Sequence, residues 1–128
     1  MVRQSIDVEG FGHGGLPIPA ASRVGPMIMT GGVHGLDLDN GDHGDAARQI
    51  GRMFDNLARI LAAGGATFAA VVHMTIYLRS PATRAALSEE WLKAFPDAHS
   101  RPARHTLVYD HLPEPMQVQC SATAYVED

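Results

Sequence analysis

Residues 117–126, Gln117-Val-Gln-Cys-Ser-Ala-Thr-Ala-Tyr-Val126, decide the fold that we expect for this chain. Apolar residues from Val118 to Val126 alternate with polar ones, and a period of two is typical of a β-strand with one buried and one exposed face. The apolar face needs other elements of the chain to cover it. The polar face needs water or a partner subunit, so the segment predicts a sheet covered on one side and favours an oligomer.

Two upstream helices are predicted to supply the cover. The first begins after Asp45, the expected N-cap, and ends at Gly64-Gly65, because glycine accepts the left-handed conformation at a helix C-terminus. Its apolar stripe at helical spacing is Ala47, Ile50, Phe54, Leu57 and Leu61. The second helix begins at Ser80-Pro81 and ends before Pro96. Its expected inward face is Ala85, Ser88, Trp91 and Phe95.

The remaining strands follow from composition. Val71–Leu78 is rich in β-branched residues, residues 103–109 form another candidate, and two or three short strands are expected in the glycine-rich region around Met27. Asn40-Gly41 is a turn signal. Two helices cannot cover both faces of such a sheet. We therefore expect one α+β domain spanning residues 1–128, with both helices packed on one face of a mixed β-sheet.

Composition excludes several classes of protein. The chain has 128 residues, a formal net charge of -4 and 45% hydrophobic residues, which argues against disorder and against binding a nucleic-acid backbone. Its apolar stretches are shorter than the ~20 residues that a membrane helix needs, and the N-terminus lacks the apolar core of a signal peptide. The single cysteine, Cys120, excludes an internal disulfide and is expected to be a buried, unreactive thiol. We expect a cytoplasmic protein that binds neither membrane nor nucleic acid.

A cluster of polar residues, Arg101 to Thr106, lies where a loop enters a predicted strand. On that strand Arg104 and Thr106 face one way and His105 the other. An arginine fork matches the geometry of a carboxylate or a phosphate. The alternative is that Arg101 and Arg104 form ordinary surface ion pairs.

Other candidate groups give weaker signals. The seven histidines form no HxH, HxxxH or HExxH pattern, so we expect neither a metal site nor a cofactor. His13 is either a proton carrier or a mobile surface histidine, and His73 belongs to the core or an interface. Gly31-Gly32 forms either an anion-binding nest or a simple turn. The chain contains no nucleotide-binding glycine motif and no Gly-x-Ser-x-Gly motif.

Taken together, several segments of residues 17–126 resemble the Rid family, the reactive imine/enamine deaminases also called YjgF-like proteins or L-PSP endoribonucleases. The matching segments are Gly25-Pro-Met-Ile-Met-Thr-Gly-Gly32, Phe54-Asp-Asn56, Ala63-Gly-Gly-Ala66, Val72–Leu78, Trp91…Phe95, Arg101-Pro-Ala-Arg104 and Leu112-Pro113. The resemblance implies a chorismate-mutase-like fold, assembled as a homotrimer around a central barrel of sheets. It also implies ligand clefts between subunits.

The resemblance further implies site residues. Arg104 matches the family arginine that pairs with a substrate carboxylate, and Gln119 stands where the deaminases carry a glutamate that positions water. An amide can hydrogen-bond a water molecule but cannot accept its proton. Ile18, Gly31 and Ser88 replace a family tyrosine, serine and asparagine, and the backbone amide of Gly31 is expected to remain available to a ligand. The chain is thus expected to be a divergent member.

Three functions remain open. The first is hydrolysis of a small imine or enamine acid to a keto acid and ammonia, with Arg104 as anchor and Gln119, Thr106 or backbone carbonyls orienting water. Water, His13 or His105 would then carry the proton. The second is a non-catalytic trimer that binds a small carboxylate as a metabolite sensor or partner-binding module. The third, ribonuclease activity, follows only from the family's older label and is disfavoured by the acidic balance.

Overall fold

The computed structural model describes residues 1–127 as one mixed sheet of seven strands with two helices. The strands are β1 (Gln4–Ile6), β2 (Ala21–Val24), β3 (Met27–Thr30), β4 (Val33–His34), β5 (Val71–Leu78), β6 (Ala103–Val108) and β7 (Val118–Tyr125). The helices are α1 (Ala46–Ala63) and α2 (Arg84–Ala94). This confirms the predicted α+β class and the order of its elements, and β1 is an addition that the sequence analysis missed.

Strand β7 lies at the centre of the sheet. The strand order is β1-β2-β3-β7-β5-β6, and the short β4 also pairs with β7. Among the strands of residues 1–127, β5 and β6 form the one parallel pair, and the other pairs are antiparallel. Strand β6, which carries Arg104, therefore lies at an edge of the sheet and is paired with β5 alone.

The two faces of the sheet differ as the alternation in residues 117–126 predicts. Val118, Cys120, Ala122 and Ala124 are buried with the apolar residues of both helices in one core. We call the other side the open face. It carries His73, Thr75 and Tyr77 of β5, His105 and Leu107 of β6, and Gln119, Ser121, Thr123 and Tyr125 of β7.

Helix α1 has the ends that were predicted. The Asp45 carboxylate accepts a hydrogen bond of 2.9 Å from the backbone N–H of Arg48, and the chain turns away through Gly65 at φ +87°. The predicted apolar stripe is buried apart from Ala47, which is exposed. Ala47 lies off the centre of the buried face, where Gln49 takes the inward position of the first turn.

Helix α2 differs more from the prediction. Ser80 caps a 3₁₀ turn, Pro81–Thr83, and the α-helix begins only at Arg84. Ala85 and Ser88 were expected inside but are exposed, whereas Leu87 is fully buried. The inward face follows Leu87, Trp91 and Phe95, because Leu87 has more apolar surface to bury than Ala85 or Ser88. The helix ends before Pro96, as predicted.

Within residues 1–127 no helix has both the length and the apolar character that a bilayer crossing requires.

Candidate functional site

Arg104 is held on the side of the sheet that the helices cover. Its register partner on β5 is the fully buried Met74, and its guanidinium carbon lies 4.7 Å from the centroid of the Trp91 ring on α2. The side chain is half-buried and, among the residues that the structure describes, forms neither a hydrogen bond nor an ion pair. A stacked guanidinium without a protein partner is suited to bind an anion.

The electrostatics around Arg104 favour the same ligand. Burial lowers the pKa of Arg104 from its ordinary value, and the nearby charge of Arg84 lowers that pKa further. Arg84, Ser88 and Trp91 are spaced by four and three residues, which places them on one face of α2. We call these residues, with Arg104 and Thr106, the Arg104 ledge. An anion bound here would relieve the repulsion between Arg84 and Arg104.

Arg101 has a structural role instead. Its Nε donates to the carbonyl oxygen of Phe95 at 2.9 Å, and an Nη donates to that of Pro96 at 3.4 Å. These bonds fix the loop that follows α2. Within the described residues neither Arg101 nor Arg104 forms an ion pair, so the surface ion-pair interpretation has no support there for either residue.

A second group of candidate residues surrounds a cavity of about 350 Å³, which we call the Gln119 pocket. Its lining is Gly12, His13, Gly14, Leu16, Ile18, His34, Leu36, Leu38, Pro113, Met116 and Gln119. The Gln119 amide donates from Nε2 to the sulfur of Met116 at 3.5 Å. It also lies flat against Gly32, where a Cβ would come within 2.7 Å of the amide carbon. Glycine at position 32 therefore makes room for the Gln119 side chain.

His13 has one nitrogen without a partner. Its Nε2 lies 2.9 Å from the carbonyl oxygen of Gly32, and because that oxygen only accepts, Nε2 carries the proton. Nδ1 is left with a lone pair that is buried and has no hydrogen-bond partner within the described residues. His13 is thus a half-buried residue of the pocket, with one ring nitrogen bonded to the backbone of Gly32.

His34 is a further pocket residue, and the sequence analysis did not find it. It is buried, its ring stacks on Phe11 with centroids 4.6 Å apart, and Nε2 donates to the Gly12 carbonyl at 3.1 Å. Nδ1 accepts from the backbone N–H of Leu36 at 3.2 Å. Burial lowers the pKa of His34 more than the bond to Gly12 raises it. The two hydrogen bonds of the ring tie the N-terminal loop to β4. No local pattern signals this role, since the partners are distant backbone groups.

Arg79 is the second missed residue. Its guanidinium donates to the carbonyl oxygens of Met116 at 3.0 Å and Asp110 at 2.8 Å, and also to that of Leu112. The carboxylate of Glu114 lies 3.3 Å away. Arg79 therefore holds the loop between β6 and β7, which contributes the Pro113 and Met116 wall of the Gln119 pocket.

The predicted site residues fall into two groups on one protomer. Arg104, Thr106 and Ser88 belong to the ledge, whereas Gln119, Ile18 and His13 line the pocket. Arg104 pairs with Met74 and Gln119 with Tyr77, on opposite sides of β5 and on opposite faces of the sheet. With the usual strand and residue spacings, their Cα atoms lie roughly 14 Å apart. One protomer cannot bring both side chains onto a single small ligand.

Two further predicted residues lie outside both groups. His105 is on the open face, where its ring lies 5.8 Å from that of His73, and it lines neither the ledge nor the pocket. The backbone N–H of Gly31 donates to the carbonyl oxygen of Ala20 at 2.9 Å. The expectation that this amide is available to a ligand is therefore wrong, because the neighbouring strand already uses it.

Cys120 matches its prediction: it is buried in the core, and burial raises its pKa to about 12. Across residues 1–127 no three histidine, cysteine, aspartate or glutamate side chains are grouped as a metal ion would require.

Comparisons with known proteins address the family. A model of the family described as Endoribonuclease L-PSP matches residues 18–126. A RutC family protein of Pyrococcus abyssi is 31% identical over 113 residues, which cover 87% of each chain. The crystal structure of the YjgF gene product of E. coli superimposes with a TM-score of 0.86 at 22% identity, covering 97% of this chain and 99% of that one. RidA from the Antarctic bacterium Psychrobacter gives a TM-score of 0.85 at 22% identity, over 96% and 99% of the two chains. The chain therefore belongs to the L-PSP family, also called the YjgF or Rid family.

Proposed function

We propose that this protein hydrolyses a small imine or enamine carboxylic acid to a keto acid and ammonia. The observation that carries the proposal is the Arg104 guanidinium, stacked on Trp91 and without a protein partner within residues 1–127. A bidentate pair with a carboxylate satisfies this fork, and Thr106 lies two residues along on the same side of β6.

The second part of the proposal is that the cleft forms between two copies in a homotrimer. Arg104 and Gln119 are on opposite faces of the protomer, so the ledge of one copy must meet the pocket of another to enclose a small ligand. The open face supports an assembly, because large side chains with much hydrophobic surface, such as Leu107 and Tyr125, are about half exposed on it.

The proposed reaction needs few catalytic groups from the protein. Water attacks the carbon of the protonated C=N bond and a C–O bond forms. Two protons then move from that oxygen to nitrogen, one before the C–N bond breaks and one as it breaks. The sum is iminium plus water giving keto acid plus ammonium, with no net proton taken up or released. Orientation of the water therefore supplies much of the rate.

The Gln119 pocket provides one group that can orient the attacking water and one that can transfer protons. The Gln119 amide oxygen has no partner within the described chain, so it can accept a hydrogen bond from the attacking water. His13 offers its unpaired Nδ1 as the carrier that moves each proton in turn from oxygen to nitrogen. His105 lies apart from the pocket within one copy and fits this task less well.

The alternative is a non-catalytic trimer that binds a small carboxylate as a sensor or partner-binding module. The amide of Gln119 favours it, because an amide cannot take a proton from water. Ribonuclease activity, the activity in the family's name, is disfavoured by the acidic charge balance of the chain. The cytoplasmic location stays a prediction.

The test measures ammonia release from an imino acid generated in solution, beside calorimetric binding of pyruvate. We expect the protein to accelerate release over buffer, and Arg104→Ala to lower both rate and affinity more than tenfold. The matched control is Arg48→Ala, because that arginine is 58% exposed. Pyruvate binding that requires Arg104 without any acceleration would establish the non-catalytic alternative. Pyruvate binding that is unchanged in Arg104→Ala would overturn both the deaminase proposal and the non-catalytic alternative.

A further inference from the structure

The Gln119 pocket has an apolar wall that the proposed chemistry does not use. Six of its lining residues are apolar, and they come from three separate loops: Leu16, Ile18, Leu36, Leu38, Pro113 and Met116. Ile18 and Leu38 are each 49% exposed, so apolar surface lies open around the mouth. Such surface is unfavourable in water unless a ligand or partner covers it.

The polar groups of the pocket are few and mostly occupied. Both nitrogens of His34 and the Nε2 of His13 bond to the backbone, and the Gln119 Nε2 donates to Met116. Among the described lining residues none carries an acidic, lysine or arginine side chain. Among the side chains of the described lining residues, only the His13 Nδ1 and the Gln119 amide oxygen remain for a ligand. The side chains of the pocket therefore offer polar groups for one reacting centre but no charged group for a polar side chain on the ligand.

From this lining we infer that the preferred ligand is an imino or 2-oxo acid with a bulky apolar side chain, of leucine to phenylalanine size. The inference rests on the proposed function, since the acid group must reach the Arg104 ledge of a second copy. A cavity of about 350 Å³ is at the lower end of the volumes that enclose small organic ligands. A one-carbon or hydroxylated side chain would leave the wall exposed or bury a polar group without a partner.

Calorimetry with pyruvate, 2-oxobutyrate, 4-methyl-2-oxopentanoate and phenylpyruvate tests this inference. We expect affinity to rise about fourfold for each added methylene group that the wall covers. Hydroxypyruvate should bind no better than pyruvate. Affinity that is flat across the series, or highest for hydroxypyruvate, would overturn the inference.

Two substitutions in the apolar wall test whether the wall itself contacts the ligand. Leu38→Ala and Ile18→Ala should weaken phenylpyruvate binding several-fold and pyruvate binding much less. The matched control is Leu92→Ala on α2, because Leu92 is 52% exposed and outside the pocket. If Leu38→Ala and Leu92→Ala have the same effect on phenylpyruvate, the wall does not contact the ligand and the inference is wrong.

Failure of the inference is distinguishable from failure of the proposed function. If affinity is the same for all the acids and Arg104→Ala weakens the binding of each one equally, the apolar preference is wrong and the role of Arg104 as anchor stands. If affinity rises along the series of acids and Arg104→Ala does not change it, the apolar preference stands and the role of Arg104 as carboxylate anchor is wrong.

Discussion

The guanidinium carbon of Arg104 lies 4.7 Å from the centroid of the Trp91 ring, close enough for a cation–π contact between an edge strand and the second helix. The contact fixes the plane of a group that is otherwise unpartnered. Because β6 has only one neighbouring strand, the helix supplies rigidity that the sheet does not. The ledge is thus preorganised for a planar anion.

Trp91→Leu should lower affinity for pyruvate two- to fivefold, in line with about 0.5–1 kcal/mol for a partly exposed cation–π contact. Trp91→Phe should retain part of the affinity, because the smaller ring keeps a π face. Calorimetry measures both, with Leu92→Ala as the control for a neighbouring position on α2. Equal affinity in wild type and Trp91→Leu would show that the ring does not position Arg104.

Gln119→Glu should raise the rate of ammonia release about tenfold or more, because a carboxylate accepts the proton that an amide cannot. The rate of the variant should fall as the pH drops through the pKa of the new carboxyl group, and the wild-type rate should lack that step. The pH profile of ammonia release measures this difference. Gln4→Glu, at an exposed position on β1, is the control for added charge. A variant as slow as wild type at all pH values contradicts the proposed site of water.

Arg79→Ala should lower the free energy of unfolding by about 2–3 kcal/mol, because three carbonyl oxygens and one carboxylate lose their donor. Arg79→Lys should retain only part of this free energy, since one ammonium group cannot reach all three carbonyl oxygens and the carboxylate. Urea unfolding measures the change. The control is Arg48→Ala, whose exposed ion pair with Asp42 at 3.9 Å should contribute less than about 0.5 kcal/mol.

Loss of Arg79 should also loosen one loop selectively. Amide hydrogen exchange should accelerate at residues 110–117 in Arg79→Ala more than in β5 or α1. Uniform acceleration across the chain would contradict the local role that we assign to Arg79.

Cys120 should make stability fall at alkaline pH. Burial raises its folded pKa to about 12, against an ordinary value of 9.0. Above the ordinary value the unfolded chain releases the proton while the folded chain keeps it. The stabilisation is therefore complete below pH 9 and is lost as the pH rises toward 12, by roughly 1.4 kcal/mol per pH unit.

Urea unfolding from pH 8 to 11 in wild type and Cys120→Ala measures this effect. The variant should be less stable at pH 8, because a buried side chain becomes smaller, but its stability should decline less steeply with pH. Parallel slopes would mean that the thiol ionises in the folded protein. In the same samples, iodoacetamide should label Cys120 only after unfolding.

Much of the fold could be predicted from periodicity alone. The alternation of Val118 to Ala124 correctly gave the covered and open faces, and the cap at Asp45 correctly gave the start of α1. These signals are local, because each depends on neighbours within one turn or one strand. The orientation of β6, with Arg104 and His105 on opposite sides, followed from the same period of two.

What could not be predicted depends on contacts between distant parts of the chain. Gln49 is buried because its amide bonds to Gly44, Pro115 and the N–H of Gln117, and no pattern around Gln49 shows this. Arg79 follows a strand like many surface arginines, and its partners are carbonyl oxygens that every sequence has. Whether the amide of Gly31 is available to a ligand depends on its acceptor, the carbonyl oxygen of Ala20, which only the structure places opposite it.

The placement of Arg104 and Gln119 on opposite sides of one sheet has a genetic consequence under the proposed pairing of copies. A chain with a damaged ledge still has a sound pocket, and a chain with a damaged pocket still has a sound ledge. When two such alleles are co-expressed, every mixed ring of three contains one cleft built from the intact halves. Defects that are complete in either allele alone would then complement each other in trans.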